Sequence, residues 1–175
     1  MEVLKTEFEG LFIIKPRIFE DERGHFFESY NDSKLETQGL SAKFVQDNQS
    51  FSKKGVLRGL HLQKEPYAQG KLVRVLSGKV LDVAVDLRKS SKTYGAHFKY
   101  LLDDEKKEMM YIPEGFAHGF ITLEDAVFFY KCTNLYHKES ESGIIWNDAD
   151  LNIDWEVEDP IISQKDLELP SFKDF

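Results

Sequence analysis

Leu81, Val83, Val85 and Leu87 alternate with Asp82, Ala84, Asp86 and Arg88, the period-two pattern of a strand with one buried face. The same alternation, in segments rich in Val, Ile, Phe and Tyr, predicts strands over residues 11–19, 25–30, 44–51, 56–63, 71–77, 96–102, 109–112, 116–123 and 127–135. Turn signals such as Glu22-Arg23-Gly24, Lys54-Gly55, Ser77-Gly78 and Tyr94-Gly95 separate them. A single stretch, 33–38, reads as a helix, with Asn31 or Asp32 as its cap and Gly39 as its stop signal. Ten strands against one helix predict an all-β domain, a sandwich, jelly roll or small barrel, with a tail from about Asp150 onward. No repeat, low-complexity tract or linker divides the chain. One domain over 1–175 is therefore expected, with its barrel core at about 40–150.

Composition narrows the classes of function. Of 175 residues, 41% are hydrophobic, which suits a soluble globular protein. No apolar run approaches the ~18 residues of a membrane span, and the opening residues lack a basic stretch followed by an apolar one. The cytoplasm is the expected compartment. The single Cys132 excludes an intramolecular disulfide framework and a thiol-rich zinc site. Twenty-three Lys and Arg against 31 Asp and Glu leave a net charge of −8, which argues against nucleic acid or an anionic membrane as partner. An anionic ligand would need a local basic pocket.

Two segments carry candidate chemistry. In 56–63, Arg58 and His61 interrupt an apolar strand, where an unpaired charge is costly to bury. Three residues apart, they face opposite sides of a regular strand, so a shared site requires a bulge or kink, for which Gly59 is suited. Lys71 shares a face with Val73 and Val75, and Gln46 with Asn48. Taken singly, each reads as a polar residue on a barrel rim. In 111–120, Pro113 and Gly115 set a turn that feeds His118 into a strand between Phe116 and Phe120. Pro-x-Gly-x-x-His resembles the second motif of the cupin superfamily, whose fold is a jelly-roll barrel, and His61 stands where the first motif begins. Metal-binding cupins have His-x-His there, whereas this chain reads His61-Leu62-Gln63. With the ligand set incomplete, no metal is expected.

Seven motifs in order make a closer resemblance: Arg23 to Glu28, Phe44 to Asn48, Leu57 to His61, Ile112 to Phe120, Tyr130-Lys131, Gly143 to Asp148 and Ser163 to Asp166. Together they resemble the dTDP-4-dehydrorhamnose 3,5-epimerase family over nearly the whole chain. The resemblance implies a cupin-type jelly-roll β-barrel with a few short helices. It also implies inversion at C3 and C5 of a dTDP-linked 4-keto-6-deoxy sugar through enolates, on the route to dTDP-L-rhamnose, with no cofactor. By the same resemblance His61 is the base, Asp166 its partner, Lys71 the group facing the developing oxyanion, and Tyr130 the acid, with Tyr136 as the alternative. Arg23, Arg58 and Lys165 match diphosphate-binding positions. Gln46, Asn48, His118 and Glu141 match positions lining the substrate, with Glu139 competing for the last of these. Phe26 and Glu28 match positions near the thymine. Family members are homodimers whose amino-terminal strands reach the partner's site, so Arg23, Phe26 and Glu28 are expected to act in trans. Two rival readings are a single-position epimerase of a related sugar and a non-catalytic sugar-nucleotide-binding barrel.

Overall fold

A computed structural model describes residues 1–175. Thirteen strands and two short helices follow in order: β1 (Glu2–Lys5), β2 (Phe12–Lys15), β3 (Ile18–Asp21), β4 (Gly24–Phe27), α1 (Asp32–Thr37), β5 (Gln46–Ser52), β6 (Leu57–Gln63), β7 (Lys71–Ser77), β8 (Lys79–Asp86), β9 (His97–Asp103), β10 (Met109–Ile112), β11 (Phe116–Thr122), β12 (Ala126–Cys132), β13 (Glu141–Gly143) and α2 (Gln164–Leu167). The expected strand at 11–19 is two strands, β2 and β3, broken at Pro16-Arg17, where proline has no N–H for a ladder. The caps resolve in favour of Asn31, whose side chain accepts the Lys34 N–H at 3.1 Å.

The strands form two antiparallel sheets, ordered β1-β2-β10-β7-β12-β5 and β13-β6-β11-β8-β9, while β3 and β4 pair only with each other. The barrel reaches further toward the amino terminus than 40–150, because β1 and β2 extend the six-stranded sheet and Phe8, Leu11 and Ile13 enter the central core. That core fills the space between the sheets with Val73, Val75, Met110, Ile112 and Phe128 from one and Val80, Ala84, Leu102, Phe116 and Phe120 from the other. Each sheet is also covered outside. Leu35 on α1 and Leu40 pack on Ile14, Leu72 and Met109. The segment after β13 lays Ile144, Leu151 and Trp155 over Leu60, Leu81, Val83 and Val85.

This double cover corrects the reading of β8. Its last seven residues are all buried, and its apolar set, Leu81, Val83 and Val85, lies under the carboxy-terminal segment, whereas Val80 and Ala84 look into the barrel. Asp82 and Asp86, spaced evenly with Val80 and Ala84, therefore belong to the interior side. A strand covered on both faces loses the contrast between a wet and a dry side. No helix is long and apolar enough to cross a membrane.

Candidate active site

The site is built first by an irregularity in β6. His61 pairs with His118 of β11 and Arg58 with Phe120, so three residues of advance on β6 match two on β11. This extra residue is the bulge required for Arg58 and His61 to share a face. Gly59 sits there at φ +126°, and a Cβ on it would lie 2.5 Å from the Gly119 Cα. Two glycines back to back let the strands approach.

Asp166 arrives from a segment remote in sequence. Ser163 caps α2 by accepting the Asp166 N–H at 3.2 Å, and this turn drives the carboxylate into the wall of the barrel. Its Oδ1 lies 2.7 Å from His61 Nε2, and its Oδ2 accepts the Gly59 N–H at 3.3 Å. Burial alone would raise the Asp166 pKa, but the bond to His61, its charge and the backbone donors outweigh it and hold the carboxyl below 3.8. His118, opposite His61, meets Asp82 at 2.9 Å through Nε2, with both side chains buried. Burial lowers the His118 pKa despite Asp82, so the neutral imidazole is favoured.

The facing groups come from the other sheet. On β12, Tyr130 pairs with Asn48 of β5 and Val73 of β7, and Cys132 pairs with Lys71. Lys71 forms no ion pair, and its Nζ stands 6.0 Å from the centre of the Tyr130 ring. Burial lowers its pKa, partly offset by Cys132, Asp82 and Glu141. Burial, reinforced by Cys132 and opposed by Arg58, raises the Tyr130 pKa, which keeps its phenol protonated. An imidazole on one sheet, backed by the carboxylate of α2, thus faces a phenol and a lysine amine on the other.

A cavity of about 400 Å³ is lined by Asn48, Arg58, His61, Lys71, His118, Tyr130, Lys165 and Asp166. An adjoining cleft of about 250 Å³ shares Asn48, His61, Lys71 and Tyr130 and adds Gln46, Tyr136 and Glu141. Eleven of the fourteen expected site residues are therefore brought together. Arg58 donates from Nε to Ser52 Oγ at 3.0 Å. Tyr136, half exposed, donates its hydroxyl to Glu141 Oε2 at 2.8 Å, and Lys165 Nζ lies 2.6 Å from the same oxygen. Glu139 points elsewhere, pairing with His137 at 3.4 Å. The other three expected residues are not in this cavity. Arg23 pairs with Asp21 on the β3–β4 hairpin, Phe26 is 70% exposed on that hairpin, and Glu28 bonds Lys34 and Asn31. No group of three or more His, Cys, Asp or Glu side chains is arranged to hold a metal ion.

Three contributors escape a reading of the sequence. Asp82 has the spacing of an outward strand residue, Ser163 has a capping role visible only once α2 exists, and Phe128 is part of the aromatic core. Asp82 had one signal, an acid in a strand otherwise rich in Val and Leu.

Fold and site together define a cupin-type barrel whose interior carries an imidazole–carboxylate pair, a phenol and a lysine. The chain belongs to the dTDP-4-dehydrorhamnose 3,5-epimerase family, whose sequence profile matches residues 5–174. It is 53% identical over 176 residues to the dTDP-4-dehydrorhamnose 3,5-epimerase of Shigella flexneri, covering 99% of this chain and 97% of that protein. Among solved structures, that of the Bacillus anthracis str. Ames enzyme with TDP and PPi bound is 45% identical, with a TM-score of 0.96 over 98% of this chain and 99% of that one. The Legionella pneumophila Philadelphia 1 protein, a dTDP-6-deoxy-D-glucose-3,5-epimerase in complex with dTDP-4-keto-L-rhamnose, is 46% identical, with a TM-score of 0.93 over 98% and 93%.

Proposed function

We propose that this chain is a dTDP-4-dehydrorhamnose 3,5-epimerase that converts dTDP-4-dehydro-6-deoxy-D-glucose to dTDP-4-dehydro-L-rhamnose by acid–base chemistry of its own side chains. The observation that carries the reading is the placement of the His61–Asp166 pair and of Tyr130 on opposite sheets across one cavity. Stacked sheets stand ~10 Å apart, room for a sugar ring with one face toward each wall. C3 and C5 both lie α to the C4 ketone, so their protons are acidic once the enolate is stabilised. His61 removes a proton from one ring face. Asp166 holds the imidazole and offsets the charge it gains. Lys71, whose ammonium has no carboxylate partner in the chain, meets the oxyanion developing at O4. Tyr130 returns a proton from the other face; once His61 has released its proton to solvent and Tyr130 has regained one, repetition at the second carbon completes the inversion. Tyr136, tied to Glu141 on the cleft rim, is less suited to this proton transfer.

Arg58 and Lys165 supply positive charge for the diphosphate. Arg23, Phe26 and Glu28 reach the site from a second copy in a homodimer, a reading supported by a hairpin that pairs with neither sheet. The protein works in the cytoplasm as one domain over 1–175. Incubation with the 4-keto-6-deoxyglucose nucleotide in D₂O tests the activity: deuterium enters C3 and C5 together. Exchange at one carbon selects a single-position epimerase, and exchange at neither removes the enzyme reading.

A further inference from the structure

Gln63 closes β6 two residues beyond His61, where a His-x-His pattern would place a second histidine. Its side chain is buried, and its amide is turned toward main chain. Nε2 donates to the carbonyls of Tyr67 at 2.7 Å and Leu135 at 3.2 Å, while Oε1 accepts the His137 N–H at 2.6 Å. Both donors and an acceptor of a buried amide are thus used, on two loops: 64–70, between β6 and β7, and 133–140, between β12 and β13.

Tyr136 lies between the two anchored residues of the second loop, and its own N–H is taken by Gln46 Oε1 at 2.9 Å. Main-chain groups of three consecutive residues, 135–137, are held by two glutamines. The loops are joined again by Gln69 Nε2, which donates to the Asn134 carbonyl at 2.7 Å, and by the stacked rings of Tyr67 and His137, 3.8 Å apart and 6° from parallel. From this fixed backbone the Tyr136 side chain borders the cleft and reaches Glu141.

We infer that Gln63 is a positioning residue that fastens the 133–140 loop so that Tyr136 is held at the mouth of the cleft when substrate binds. The inference rests on that cleft being the sugar-nucleotide site. Tyr136 has an exposed ring and a loop backbone, so it keeps one orientation only if something buried fixes its main chain. An amide can do this, because it donates to carbonyls and accepts from an N–H at once. Neither a histidine nor a carboxylate at this position can form all three bonds.

Gln63→Glu keeps the shape and the acceptor for His137 but sets a carboxylate oxygen against two carbonyls. Hydrogen exchange at amides 135–137 should accelerate about tenfold or more, with the β6 and β11 amides unchanged, and kcat/KM should fall about tenfold, chiefly through KM. Tyr136→Ala, which should raise KM in the native protein, should add little in the Gln63→Glu background. If Gln63→Glu also loosens β6, Gln63→Met carries the test, since it fills a similar volume and removes all three bonds without burying a charge, and should accelerate exchange at 135–137. Unchanged protection of this loop in either folded variant, or additive losses in the double variant, overturns the inference. A native protein that incorporates no deuterium overturns the epimerase reading instead, and leaves the exchange comparison standing.

Discussion

At the scale of single residues, the site depends on which polar groups are satisfied and which are left for a ligand. The His61 ring is fixed by Asp166, whereas Lys71 has no ion pair and the half-buried Tyr130 borders the cavity beside Asn48 and Lys71. His61→Ala should lower kcat by about 10²–10⁴, measured as product formation with folded protein verified by circular dichroism. Tyr130→Phe should let substrate protons wash into solvent while slowing inversion, seen as deuterium entering recovered substrate faster than product forms. Unchanged turnover would transfer the acid role to Tyr136. A different carboxylate governs acid stability. Asp86 is fully buried and accepts from Arg88, Ser91 and Thr93. Although burial alone would raise its pKa, these donors lower it from 3.8 to about 2. A carboxyl depressed on folding adds stability above its unfolded value, and that stability is lost as pH falls from 3.8 toward about 2. Asp86→Asn should remove ~2 kcal/mol at neutral pH and flatten the acid limb of a urea-denaturation series across that window.

At the scale of elements, strands were easier to read than the site. Nine alternating runs correspond to single strands, because alternation is the direct imprint of a pleat that faces two environments. β13 and α2 are too short, at three and four residues, to carry a period, and β1 sets Val3 and Leu4 side by side instead of alternating. The pairing of His61 and Asp166 was legible only through family motifs, since 105 residues separate them. Their meeting depends on the carboxy-terminal segment lying over β6 and β8. Asp82 was misread for the same reason: the segment that dries the outer face of β8 cannot be inferred from β8 itself. The bulge, by contrast, followed from residue spacing alone, as Arg58 and His61 could share a wall in no other way. Gly59→Ala should therefore be severe. It places a methyl against backbone at a φ that side chains rarely adopt, and should cost ~2 kcal/mol or more in chemical denaturation while displacing both Arg58 and His61. Full activity and stability would mean that the strands can part there without consequence.

At the scale of the whole molecule, the net charge of −8 conceals a cavity bordered by Arg58, Lys71 and Lys165. A nucleotide diphosphate entering it moves against the general field into a local positive one. Arg23 would extend this cluster only from a second chain. Mixing inactive Arg23→Ala chains with inactive His61→Ala chains should therefore regenerate activity, because a mixed dimer holds one site with both native residues. No recovery after subunit exchange, verified by mass spectrometry, would refute action in trans.

The 105-residue span between His61 and Asp166 also has a consequence in time. During synthesis the barrel strands emerge well before the carboxylate partner of His61, and the outer surface of β6 and β8 emerges before the segment that covers it. A nascent chain halted just after β13 thus presents a bare apolar flank and an imidazole without its carboxylate. The carboxylate that meets His61 and the apolar residues that cover β6 and β8 are supplied by the same carboxy-terminal stretch of polypeptide.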